Sequence, residues 1–267
     1  MPIRTPIGGD IDDFRLPPKE GLRLAAGLGF QAAEFGAAGG ELAPENLSQS
    51  GRRHLARYAE GLGLTLSSVV ADMPSLRLTD PRSVNERVER TCQILELSRE
   101  LAIPMVTAAV GALTHPETGE PSDLALAALR RIGEFADSRG VVYAIRPAHD
   151  GPDRILRVLR MLSCPALGVC LDPAALIMAG LNPQSLVAAM PDSVSLVHAR
   201  DGTAGLPQRP GHETALGSGD ADWTGILAAL RDAEYQGAYI LRRTDSQTPV
   251  ADVEAGRDFL RQYLDPR

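Results

Sequence analysis

Two arginines stand where apolar sequence gives out. Arg146 closes the run GVVYAIRP that begins at Gly140, and Arg242 closes GAYILRR from Gly237. Other short apolar runs also end on polar groups: Glu34 in GFQAAEF, Asp72 after LTLSSVVA, Asp172 after LGVCL, and His198, Arg200 and Asp201 in VSLVHARD. His149 follows Arg146 on the same loop, and His115 lies on the loop after the fourth run. Carboxylates and imidazoles are the groups that move protons near neutral pH. A guanidinium has no lone pair and stays charged, so it binds carboxylates or phosphates and stabilises oxyanions. In this set His198 or Glu34 is the candidate base, with Arg146, Arg242, Asp172 and His149 as candidate ligand-binding groups.

Such residues form one site only if the chain brings the ends of the runs together. Eight runs can be counted, from a weak one at Ile3 to Gly8 through those starting at Ala32, Leu64, Pro104, Val141, Leu167 and Val194 to AYIL at Ala238. Several are continuously apolar, as parallel strands covered on both faces are. Amphipathic stretches separate them. In VNERVERTCQILELSREL, Val84, Val88, Cys92 and Leu95 share a face, and DWTGILAALRDA repeats the pattern with Asp222 as N-cap. Eight strand-helix units in about 250 residues predict an α/β fold, a (β/α)8 TIM barrel, formed by one domain over 1–267. A doubly wound sheet is the alternative, but no GxGxxG follows the first run. In a barrel the polar run ends meet at the C-terminal face of the strands. The Gly/Pro-rich stretch from Gly202 to Gly219 reads as a loop on that face, and its GSG at Gly217 as a turn before a capped helix.

Composition excludes other classes. The chain has 267 residues, 44% hydrophobic and 23% charged, enough for a large core, and a formal charge of −7. Without clustered basic residues it is not expected to bind nucleic acid or an anionic membrane. No apolar run is long enough to span a bilayer. Cys92, Cys164 and Cys170 make neither a disulfide framework nor a zinc motif, so a reducing cytoplasm is expected. Lys19 is the one lysine, which argues against Schiff-base chemistry. A homo-oligomer is left open.

With these residues in order, the chain resembles the xylose isomerase-like TIM barrels, the group holding sugar-phosphate isomerases and epimerases and related endonucleases. The likeness rests on GFQAAEF at Gly29, GVVYAIRP, LGVCLDPAAL at Leu167, VSLVHARD, and LGSGDADWTGILAALRDAEYQGAYIL from Leu216. It covers almost the whole length. The resemblance implies a four-ligand divalent-metal site made by glutamates closing the fifth and eighth strands, the sixth-strand aspartate and the seventh-strand histidine, with a further histidine just after the sixth-strand aspartate in the family's pattern. It also implies that the glutamates carry protons between neighbouring sugar carbons.

Against that pattern Asp172 and His198 are kept, Arg146 and Arg242 replace both glutamates, and Ala175 replaces the sixth-strand histidine. A unit charge pair at 4 Å interacts by about 4 kcal/mol at an effective dielectric near 20, so each arginine would repel a dication by roughly twice that. No metal and no other cofactor is therefore expected. Three carboxylates with a dication sum to −1, whereas Asp172 with two arginines sums to +1, which predicts a small anionic, sugar-like ligand. The alternative is a plugged barrel, in which Arg146 pairs with Asp172 or Glu34 and Arg242 with Asp201.

Overall fold

Seven of the eight apolar runs become barrel strands with ends within one residue of the sequence reading, and the first is displaced. The computed structural model describes residues 5–206 and 208–264. Its parallel strands are β1 (Ile7–Asp10), β2 (Ala32–Gly36), β3 (Thr65–Val70), β4 (Met105–Ala109), β5 (Val142–Arg146), β6 (Leu167–Leu171) and β7 (Val194–Ala199). An antiparallel ribbon of β8 (Asp201–Thr203) and β9 (His212–Thr214) interrupts the order before β10 (Tyr239–Leu241). β1 pairs with both β2 and β10, closing an eight-stranded barrel. This is a (β/α)8 TIM barrel, as the run count predicts. Apart from Asp201, the ribbon lies within the expected 202–219 loop, of which residue 207 is outside the described residues.

The helices are α1 (Pro18–Gly27), α2 (Gln49–Gly61), α3 (Val84–Glu100), α4 (Asp123–Arg139), α5 (Pro152–Leu162), α6 (Pro173–Met178), α7 (Pro183–Ala189), α8 (Trp223–Asp232) and α9 (Pro249–Leu264). Their ends are written locally. Side chains of Ser48, Ser122, Asp172, Asn182 and Asp222 accept from backbone N–H groups of the first turns. Gly140, at φ 64°, ends α4 in the left-handed conformation and turns the chain into β5. In α3 the buried face is wider than Val84, Val88 and Leu95: it takes in Arg87, Thr91 and Ile94, while Cys92 is only half-buried. No helix among the described residues is long and apolar enough to cross a membrane.

Apolar side chains fill two regions. The larger lies between sheet and helices; the smaller, of Ala32, Ala144, Cys170, Leu196, Ala238 and Ile240, fills the inside of the barrel. Side chains alternate along a strand, so the residue two places on points the same way. Two places beyond those inner residues stand Glu34, Arg146, Asp172, His198 and Arg242. The barrel is therefore apolar at its base and charged at its top.

The first strand was misplaced because IGGD offers a single large apolar residue; Ile3 and Arg4 lie outside the described residues. The shift puts Asp10, unnoticed in the sequence, at the end of β1. Gly8 lets β1 approach β2, since a Cβ there would sit 2.5 Å from the carbonyl oxygen of Ala32. Gly8→Ala should destabilise the protein by about 1–3 kcal/mol through this overpacking. Gly39→Ala, with nothing within 4 Å of the added carbon, should change little. Denaturant melts of both variants check this; equal effects would contradict the close approach at β1.

Candidate functional site at the top of the barrel

At the lowest charged level, His198 on β7 meets Glu34 on β2. His198 Nε2 lies 2.9 Å from Glu34 Oε1 and 3.1 Å from Oε2. The Ser68 hydroxyl donates to Glu34 Oε2 at 2.6 Å. Both residues are 0% exposed. His198 Nδ1 is 3.4 Å from Arg146 Nη1. Burial pushes the His198 pKa down; Glu34 opposes this, and Arg242 and Arg146 add to it. At neutral pH the imidazole is therefore uncharged, with Nε2–H donating to Glu34 and Nδ1 accepting from Arg146. Glu34 stays ionised because His198, Arg242 and Ser68 together outweigh its burial.

Above this pair the arginines lie in two networks. Arg146 binds Asp72 through Nη2, and its Nε is 3.8 Å from Asp172 Oδ2. Asp172 caps α6 with Oδ1, accepting from the Ala175 N–H at 3.0 Å, and takes Arg200 Nη1 on Oδ2 at 2.8 Å. Arg200 continues to Glu213 on β9 at 3.0 Å, so the ribbon is tied to the barrel end. Arg242 sits among three carboxylates, with Nη2 2.9 Å from Asp10 and Nε 3.8 Å from Asp13 and 4.0 Å from Glu34.

One cation shared by three buried acids leaves one of them, Asp10, short of compensation. Burial raises the Asp10 pKa well above the ordinary carboxylate range; Arg242 opposes this, and Asp13, Glu34 and Asp12 reinforce it. Asp72 and Asp172 go the other way. Burial would raise both, but Arg146 with the Ala109 N–H outweighs it at Asp72, and Arg200 with Arg146 does so at Asp172.

The structure brings together Glu34, Asp72, Arg146, Asp172, His198, Arg200 and Arg242 as the barrel rule requires. Several expectations need correction. Arg242 pairs with Asp10, Asp13 and Glu34 rather than with Asp201. The Asp201 carboxylate instead accepts backbone N–H groups of Gly202, Gly217 and Ala221, so the GSG turn is a tethered loop. Arg146 takes Asp72 as well as Asp172. The charge sum of +1 does not hold, because Asp10, Asp13, Glu34 and Asp72 join Asp172 against Arg146, Arg200 and Arg242, and the formal excess is negative. His149 is exposed and faces a separate cavity with Met73 and Arg87. His115 is an exposed loop residue whose Nδ1 accepts from the Thr118 N–H at 3.4 Å.

Asp10 and Asp13 escaped notice because no apolar run announces β1. Glu213 escaped because its ribbon is short. Among the described residues, no three His, Cys, Asp or Glu side chains converge in a metal-ion arrangement. What remains open to solvent is a depression of about 260 Å³ lined by Asp10, Asp12, Gly36, Val70, Asp72 and Arg242, with Ala38 and Gly39 at its edge.

This fold is that of a known family. The chain belongs to the xylose isomerase-like TIM barrel family, whose model matches residues 22–263. No curated protein sequence matches it. Among solved structures it is similar to a xylose isomerase domain protein from Planctomyces limnophilus, with TM-score 0.83 and 18% identity over 92% of this chain and 94% of that one. A D-tagatose 3-epimerase-like protein superposes with TM-score 0.80 at 18% identity, covering 97% of each chain. A xylose isomerase-like TIM barrel protein from Mycobacterium smegmatis in complex with magnesium gives TM-score 0.74 at 17% identity, over 97% of this chain and 96% of that one.

The raised pKa of Asp10 has a measurable result. Its contribution to stability is present in acid and is lost as the pH rises through its folded-state value. Asp10→Asn keeps that position neutral at every pH. Urea unfolding across the pH range should show the wild type's advantage over the variant shrinking as pH rises. A difference that does not vary with pH would mean that folding leaves the Asp10 pKa unshifted.

Proposed function

We propose that this chain is a sugar isomerase/epimerase-like protein that binds a small sugar or sugar acid at the mouth of its barrel without a divalent cation. Descent from sugar-converting barrels is supported by the family match and by neighbours described as xylose isomerase and D-tagatose 3-epimerase-like proteins. The placement of Arg146 and Arg242 carries the metal-free reading. They hold the two strand-end positions where the resemblance puts ligating glutamates, and neither can donate a lone pair. Asp172 has both oxygens engaged, and both nitrogens of His198 have partners. These residues do not fit a divalent ion.

The accessible groups suit recognition better than proton transfer. Glu34 and His198, the bases expected from the sequence, are sealed beneath the arginines. Asp72 is half-buried at the mouth, but the charge of Arg146 makes it a weak base. Asp12 and Asp72 can accept hydroxyl hydrogens, and Arg242 can donate to a hydroxyl, carbonyl or single carboxylate oxygen. Three aspartates, Asp10, Asp12 and Asp72, beside one guanidinium disfavour a phosphate. A second reading, a barrel closed by its ion pairs, draws on the 0% exposure of Glu34 and His198.

Thermal shift and calorimetry with neutral sugars, sugar acids and sugar phosphates, each with and without EDTA, separate these readings. A neutral sugar or sugar acid should bind with no dependence on EDTA. Asp72→Asn should weaken it by about ten-fold or more, as expected for a charge-assisted hydrogen bond of about 1.5–3 kcal/mol. If no sugar binds, the ion-pair plug is the correct description; if binding needs added Mn2+, the metal-free reading fails.

The converse substitution tests the metal argument directly. Combined Arg146→Glu, Arg242→Glu and Ala175→His should create Mn2+ binding that the wild type lacks. A folded triple variant with no heat of Mn2+ binding would show that the strand ends do not converge on one ion.

A further inference from the structure

Arg87, in the first turn of α3, is the largest of the side chains that are fully buried, at 1% exposure. Arg146, Arg200, Arg242 and Arg243 each lie against at least one carboxylate. Arg87 has no carboxylate at ion-pairing distance among the described residues. Its Nη1 donates to the carbonyl oxygens of Met73 at 2.9 Å and Leu76 at 3.3 Å, and its Nη2 to that of Ala109 at 3.0 Å. Nε–H is buried without any partner. Three of five N–H groups are thus satisfied by carbonyl dipoles, which lower the cost of burying the cation but leave its charge uncancelled.

Arg87 is among the residues lining a cavity of about 410 Å³ between the loops that follow β3 and β4. Exposed Arg77 and His149 also line it, and Met73, Leu76 and Val110 give it apolar walls. No Asp or Glu is among its lining residues, in a chain whose formal charge is −7. A concave surface with two arginines, no acid and apolar sides concentrates positive potential beside a low-dielectric wall. The depression at the barrel mouth is lined differently: Asp72 belongs to that one, and Met73, the next residue, to this one.

We propose that this cavity is a binding site for a small organic anion, a monocarboxylate with an apolar body. Arg87 supplies uncompensated charge from behind, Arg77 and His149 close on the carboxylate from the rim, and the apolar walls hold the hydrocarbon part. The site stands independently of the sugar reading, since none of its lining residues lines the mouth depression. Arg87 also holds the loop at Met73 and Leu76 onto the end of β4, so replacing it risks the fold and is a poor test.

The test uses the whole chain and variants at the rim. Aliphatic and aromatic monocarboxylates of roughly four to eight carbons suit a pocket of this size. They are titrated by calorimetry and thermal shift beside acetate and inorganic phosphate. At least one of the larger carboxylates should bind saturably, with acetate and phosphate weaker by ten-fold or more. Arg77→Glu should weaken that binding by at least ten-fold, and Ala112→Trp, which fills the cavity, should abolish it. Asp12→Asn, at the barrel mouth, should leave it unchanged. The proposal is overturned if no carboxylate saturates the wild type, if phosphate binds more tightly than every carboxylate, or if Arg77→Glu and Ala112→Trp both bind normally.

Discussion

A guanidinium buried in a barrel has to be answered by negative charge, and much of the upper half of this protein is arranged to do that. Removing one partner from such a buried set typically costs about 3–5 kcal/mol, because the other charge is left without compensation. Arg242 draws Asp10 from β1, Asp13 from the turn after it and Glu34 from β2 toward the seam where the barrel closes. Arg146 does the same for the exit loop of β3 and for the cap of α6. Arg200 extends the network to the ribbon at Glu213. The loops of the C-terminal face are thereby tied to the strand ends by charge as well as by packing.

The same requirement decides what the histidine can do. With no solvent and with Arg242 and Arg146 nearby, a second proton on His198 is disfavoured, by burial first and by the two guanidiniums after it. The imidazole therefore stays neutral and serves as a bridge, donating to Glu34 and accepting from Arg146. A base must reach its substrate to act, and neither member of this pair has exposed surface. The two bases expected from the sequence are sealed below, and the accessible polar groups lie one level higher, on Asp12, Asp72 and Arg242.

Two solutions to burying arginine coexist within a few residues of each other in sequence. Asp72 answers Arg146 with a full negative charge, while the carbonyl of Met73 answers Arg87 with a dipole. The first leaves the mouth of the barrel with a formal negative excess; the second leaves the neighbouring cavity positive. This contrast, rather than the net charge of the chain, separates a surface suited to hydroxyl groups from one suited to an anion.

The sequence by itself determined the number, order and limits of seven barrel strands, because continuously apolar runs bounded by polar residues have few other uses in a chain of this length. It also determined that two strand ends carry guanidiniums, which is a matter of residue type and needs no coordinates. Which acids meet them was decided only by the tertiary structure. Asp10 lies on a strand with two glycines and one large apolar residue, so no pattern marked it. Its partnership with Arg242 arises where β1 pairs with β10, the closure that joins the two ends of the chain. Arg87 was hidden for the opposite reason: on a helix rich in charges an arginine reads as solvated surface. Only the loops folded over it show that it is enclosed.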